Sequence, residues 1–212
     1  MSRMIQRYSF SERLMHWLTA LTYTYCFCTG LAFYTPYLFW LAVILGGGPT
    51  SRFWHPIVGV AFFLIALWMH SVWGPDMKLT ETDKRWLDRS KDYASNNDGV
   101  LPPQERFNGG QKVFYWVMYC GAFFLLLSGI FIWFPEYISF SLAWVRQTMI
   151  VIHEIAALVT IGGFIIHVYM SVFFVPGSVE GMTTGFVPIR WARAHHKLWY
   201  IRMTGGEAPS KE

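Results

Sequence analysis

The sequence predicts an all-α membrane protein built as a four-transmembrane-helix bundle, and three observations lead there. Only 14% of the 212 residues are charged, against about 25% in soluble globular domains. The chain is 54% hydrophobic and 19% aromatic, and its apolar residues gather into four windows near the roughly 20 residues that cross a bilayer. Its basic residues alternate between rich and poor connections, as loops on opposite sides of a membrane do. Residues 1–212 are expected to form a single integral-membrane domain, with no internal repeat, no low-complexity tract and no nucleic-acid partner.

Each element follows from local composition. Residues 1–13 form a basic arm with Arg3, Arg7 and Arg13, expected to lie on the membrane surface. The first span, about 14–34, is too long and too poorly followed by a cleavage site to be a removable signal peptide, so it is expected to be retained. A tight connection, about 35–53, holds Pro36, GGGP at 46–49 and Arg52, and leads to the second span at about 54–73. The loop 74–112 is the longest polar stretch, with seven basic residues among acids, SNNDG at 95–99, and Pro102 and Pro103. It is expected to order only against a partner.

The third span, about 113–134, ends at FPEY, and the fourth, about 149–174, ends at VPGS, because proline cannot continue a helix. The tail, 175–212, carries Arg190, Arg193 and Lys197 within RWARAHHKLWY and Arg202 just after it, and reads as a surface helix with aromatic anchors. Basic residues crowd the arm, the loop 74–112 and the tail, whereas the other two connections hold only Arg52 and Arg146. Both termini are therefore expected on the cytoplasmic side.

Cys26, Cys28 and Cys120 fall inside spans without a CxxC or CxxCH arrangement. That argues against covalent haem attachment, an iron–sulfur cluster or a thiol redox centre. The histidines are more informative. His16, His55, His70, His153 and His167 lie in spans or at their edges, where polar side chains are costly and functional by default. His153 and His167 are fourteen residues apart, a rotation of ~1400°, ~40° short of four turns, and a rise of ~21 Å. They share a face at opposite depths, so no single metal uses both. The spacing suits two haems stacked across a bilayer, each taking one axial imidazole from the fourth helix.

Depth pairs His153 with His55 on the outer side. For His167, on the cytoplasmic side, depth offers both His16 and His70, and periodicity does not choose between them. Gly30, fourteen residues after His16, gives a modest preference for His16, since a haem against a helix needs a place without a side chain. Gly59, one turn after His55, fits either that use or a helix contact.

Taken together, RYSFSERLMHW, RFWHPIVG, RFNGGQK, SGIFIWFPEY, HEIAALVTIGGFIIHVYMSVFF and VEGMTTG…WARAHHKLWY resemble the cytochrome b, or gamma, subunits of respiratory membrane-bound formate dehydrogenases over nearly the whole chain. The resemblance implies two haem b groups, His16 and His167 holding the cytoplasmic-side one, and His55 and His153 the outer one. It gives His70 no ligand role, leaving it to packing or a propionate contact. Glu154 departs from the small apolar residue expected there, and is assigned to the outer margin or a subunit contact.

The RFNGGQK stretch alone reads as a turn and helix cap, although free N–H groups at a helix start also favour an anionic or carbonyl oxygen. The resemblance makes it a quinone pocket lined by Asn108, Gly110 and Gln111, for menaquinone or ubiquinone. It further implies a quinone-reducing subunit that does not itself oxidise formate, placed in the bacterial inner membrane as a multi-pass protein. Its partners would be an iron–sulfur (beta) subunit, a molybdenum- or tungsten-pterin catalytic (alpha) subunit and lipids. Electrons would pass from the iron–sulfur subunit through two haems to quinone. The alternatives are the cytochrome b subunit of a hydrogenase or thiosulfate reductase, and a non-redox membrane anchor. Arg52 is expected at a haem propionate or as a membrane-edge anchor, and His195 and His196 at a lipid headgroup or partner.

Overall fold

Capping side chains, as much as hydropathy, decide where the helices of this chain begin. The computed structural model describes residues 3–95 and 97–205; Asn96 of the SNNDG stretch lies outside them. In chain order the elements are β1 (Met4–Gln6), α1 (Phe10–Tyr34), α2 (Trp40–Ile44), α3 (Gly48–Trp73), α4 (Glu81–Asp88), α5 (Ser90–Ala94), α6 (Gly109–Trp133) and α7 (Ala143–Tyr169). Then follow α8 (Ser178–Thr184), β2 (Phe186–Pro188), α9 (Ile189–His195) and α10 (Lys197–Thr204).

The four long helices α1, α3, α6 and α7 correspond to the four apolar windows, and each starts a few residues earlier. In α1 the Ser9 N–H donates to Glu12 Oε2 at 2.8 Å and the Glu12 N–H to Ser9 Oγ at 3.3 Å, a reciprocal cap that recruits polar residues into the first turn. Asn108 and Gln111 do the same for α6.

Among the described residues, Gly48–Met77, Gly109–Trp133 and Phe140–Phe174 are long and apolar enough to cross a membrane. They leave large aliphatic side chains uncovered, such as Ile165 at 60% and Ile166 at 62% exposure. Lipid is the solvent such surfaces require, so this is an integral membrane protein, mostly helical. The expected first span differs. α1 has the length, but His16 and Thr19, Thr22 and Thr24 dilute its apolar character. Its threonines answer part of that cost internally: Thr19, Thr22 and Thr29 donate to the carbonyls of Met15, Leu18 and Tyr25 at 2.8–2.9 Å.

The chain divides into two compact units. The helical unit, Leu14–Val72 and Val117–Ile166, is built on Tyr23, Phe62, Ala66 and Ala122, with Phe27, Phe63, Met118 and Phe164 packed around them. Gly121 lies so close to Thr160 that a methyl there would collide with it, the small-residue contact typical of membrane helices.

The polar unit comprises Met1–Arg13, Trp73–Trp116 and His167–Glu212. Here β1 pairs antiparallel with β2, Ile5 opposite Val187. The arm thus includes a short strand, with Met4 and Gln6 exposed. The Gly185 carbonyl accepts from the N–H groups of both Arg7 and Tyr8 at 2.8 and 3.2 Å. The tail also departs from expectation, because its aromatic residues are core: Val187, Trp191, Ala192, Trp199 and Tyr200 form one buried cluster. Burying these rings within the unit removes their apolar surface from water. The loop 74–112 likewise folds within this unit. Thr80 and Asp83 form a capping box at α4, and the buried Asp83 carboxylate also accepts from Lys112 Nζ at 2.7 Å.

Candidate functional site

Two of the predicted ligand histidines face each other in the helical unit. His55 lies early in α3, immediately before Pro56, and His153 lies in the first half of α7. Their ring centroids are 6.4 Å apart and the planes are inclined at 58°. A metal ligated from both sides by imidazole requires two bonds of about 2 Å, plus about 1 Å from each nitrogen to its ring centre, or roughly 6 Å in all. The separation observed fits one iron between the two rings.

The ring nitrogens are already sorted. His55 Nδ1 lies 2.7 Å from Thr29 Oγ1 on α1, and His153 Nδ1 lies 2.9 Å from Ser128 Oγ on α6. With Nδ1 occupied in each ring, Nε2 remains to ligate. Glycines follow both hydroxyl residues: a Cβ on Gly30 would sit 3.7 Å from His55 Cε1, and one on Gly129 would sit 3.4 Å from His153 Cε1. Gly30, expected to leave room for a haem, therefore lies beside the His55 ring itself. A Cβ on Gly59 or Gly162 would meet no atom of the described residues within 4 Å, so both helices are open at these glycines. Thr29, Ser128 and Gly129 were not among the candidates from sequence; the legible signal was a hydroxyl–glycine pair occurring twice, Thr29-Gly30 and Ser128-Gly129.

The other histidines have different surroundings. His16, half-buried in the helical unit, meets Trp17 edge-on at 5.3 Å. His70, in the same unit, stacks on Tyr119 at 4.4 Å with 15° between planes. His167, in the polar unit, stacks on Phe114 at 4.7 Å and 6°, and just beyond it α7 widens into a π turn over Met170–Phe174, a feature frequent at functional sites. Glu154 is exposed, as is Arg52, which lines an open groove with Phe39 and Phe53.

His196 corrects an expectation outright. It is 1% exposed rather than on the surface. Its Nδ1–H donates to the Glu105 carbonyl at 2.7 Å, and its Nε2 accepts from the Arg7 guanidinium at 3.1 Å. Arg7 itself lies over the rings of Tyr8, Trp191 and Trp199 at 4.9–5.3 Å. Burial first, then the Arg7 charge, hold the His196 imidazole well below its ordinary pKa. Nearby, Arg106 Nη2 donates to Glu12 Oε1 at 2.7 Å, as does Trp73 Nε1. Burial opposes ionisation of Glu12, but hydrogen bonds from the Ser9 N–H, Trp73 and Arg106 outweigh it and lower its pKa.

At the start of α6, the Gln111 N–H donates to Asn108 Oδ1 at 2.9 Å and the Asn108 N–H to Gln111 Oε1 at 3.0 Å. Trp86 covers Gly110, 3.0 Å from where a Cβ would stand. The cap uses both amide oxygens and leaves the two NH₂ groups as donors.

Comparison with known proteins accounts for the pattern. Residues 7–185 match the prokaryotic cytochrome b561 family profile. The nitrate-inducible formate dehydrogenase cytochrome b556(Fdn) subunit of Escherichia coli K12 is 32% identical over 213 residues, 98% of this chain and 95% of that protein. The formate dehydrogenase cytochrome b556 subunit of Haemophilus influenzae is 30% identical over 92% of this chain and 82% of its own length. The E. coli cytochrome b556(fdo) subunit is 31% identical over 92% of each. A chain whose facing histidines can hold a metal inside an apolar bundle, and which matches these proteins almost end to end, belongs to the prokaryotic cytochrome b561 family, alongside the cytochrome b556 subunits of formate dehydrogenases.

Proposed function

We propose that this chain is the di-haem cytochrome b subunit of a formate dehydrogenase complex in a bacterial inner membrane, linking an iron–sulfur subunit to membrane quinone. The observation that carries the reading is the His55–His153 pair, with centroids 6.4 Å apart and both Nδ1 atoms engaged by hydroxyls. The names of the relatives supply the dehydrogenase and its complex. Haem iron, when bound, supplies a one-electron couple.

The chain's own residues do the rest. His55 and His153 hold the outer site, and His16 and His167 the cytoplasmic one, supported by the fourteen-residue register of α7 and the family motifs. The apolar helices exclude water. α1 serves as a fourth span, its threonine hydroxyls returned to its own backbone. Basic residues in the arm, the loop 74–112 and the tail favour a cytoplasmic location for both termini. Asn108 and Gln111 offer their NH₂ groups to a quinone carbonyl beside Gly110, on the side from which protons are taken. The catalytic oxidation of formate belongs to a separate pterin subunit.

Haem quantification in the purified complex tests this reading. His16→Ala is expected to lose one of two haems, and His70→Ala neither. Loss of a haem only in His70→Ala would reassign the cytoplasmic ligand, and wild-type chain without haem would end the proposal.

A further inference from the structure

Thr29 and Ser128 occupy equivalent positions around the two facing imidazoles, and both are fully buried, at 0% exposure. A hydroxyl has one proton to give. Thr29 Oγ1 lies 2.8 Å from the Tyr25 carbonyl and 3.2 Å from that of Cys26, groups that only accept. Its proton therefore goes to the backbone, and the 2.7 Å contact with His55 is an Nδ1–H donated to the hydroxyl oxygen. Ser128 repeats the argument: Oγ lies 2.5 Å from the Phe124 carbonyl, so its 2.9 Å contact accepts the Nδ1–H of His153. Both rings are thus held as the Nδ1–H tautomer, with the Nε2 lone pair kept for a metal.

We infer that Thr29 and Ser128 are positioning residues of the outer site, matched hydroxyl relays that fix the tautomer and orientation of His55 and His153 and strengthen both as ligands. An N–H donated to an oxygen leaves more electron density on the ring, which favours the ferric over the ferrous state and lowers the reduction potential. The relay adds to this, because a hydroxyl that donates to a carbonyl is a better acceptor. The glycine after each hydroxyl lies beside the ring edge, with Cε1 at ordinary van der Waals distance from where a Cβ would stand. The inference rests on the reading of His55 and His153 as a ligand pair.

The test uses the intact complex and reads haem content, the two reduction potentials and the low-spin ferric EPR signals. Thr29→Val keeps the shape and removes the acceptor. It is expected to keep both haems, raise one potential by about 59 mV for each tenfold loss in the ratio of ferric to ferrous ligation, and move one EPR signal. Thr29→Ser restores the wild-type values. Ser128→Ala shifts the same haem in the same direction. If Thr29→Val does not assemble, Ser128→Ala carries the test. Unchanged potentials and EPR signals with both haems present would overturn the inference, as would shifts in two different haems. Two haems retained in His55→Ala would instead overturn the underlying ligand pair, a separate outcome.

Discussion

The helical and polar units bury histidine in opposite ways. In the helical unit, the Nδ1 atoms of His55 and His153 are each tied to one hydroxyl, and the rings face each other across 6.4 Å. In the polar unit, His196 commits both nitrogens, one to the Glu105 carbonyl and one to Arg7. The first arrangement leaves Nε2 of each ring for the metal that the proposed function places there. The second satisfies the ring completely and turns it into a packing element. Burial alone does not separate a ligand from a structural histidine; the fate of the second nitrogen does.

Truncation should divide these roles most sharply. His55→Ala is expected to eliminate one haem while helical content is kept. His196→Ala should keep both haems per assembled complex but lower the thermal stability of the polar unit, by about 3 kcal/mol, as Arg7 and the Glu105 carbonyl lose buried partners. Pyridine haemochrome assays and detergent-phase unfolding curves measure the two outcomes. Haem loss in His196→Ala at unchanged stability would reverse the assignment.

Asn108 lies between these cases, its amide oxygen committed to the cap and its NH₂ group not. Asn108→Asp keeps the cap acceptor and removes the donor. Quinone reduction should slow by about 10- to 100-fold, the loss expected for one hydrogen bond of about 1.5–3 kcal/mol to a charged oxygen, with both haems still reducible by dithionite. Quinone kinetics equal to wild type would remove Asn108 from the site.

The smallest effect is a pH dependence confined to the polar unit. The unfolded chain takes up a proton on His196 near the ordinary 6.5, whereas the folded imidazole resists it well below that value. Stability should therefore fall as pH drops below 6.5. Glu12 adds a second limb: its folded pKa lies under the ordinary 4.5, so its contribution is present above that pH and lost as pH falls through the folded value. Unfolding temperature against pH should show both limbs, and His196→Asn should erase only the first.

Much of this was legible in the sequence. Hydropathy located α3, α6 and α7, since a run of about 20 apolar residues has few alternatives to a membrane helix. The fourteen-residue interval assigned two histidines to one face of α7 by helical geometry. Helix starts were legible only in part, because a cap depends on side-chain pairs such as Ser9 with Glu12 that hydropathy ignores. The tail was misjudged for a related reason. RWARAHHKLWY carries the composition of a surface anchor, and only the long-range pairing of β1 with β2 makes Trp191 and Trp199 core.

By itself, the sequence determined what each segment could be: its solvent, its helical register, and which residue types stood at which depth. The tertiary structure alone decided which partners those residues met. Thr29 is 26 residues from His55, Ser128 is 25 from His153, and Arg7 is 189 from His196. Register within a helix is fixed by its own backbone, whereas a hydrogen bond between helices depends on how their side chains pack.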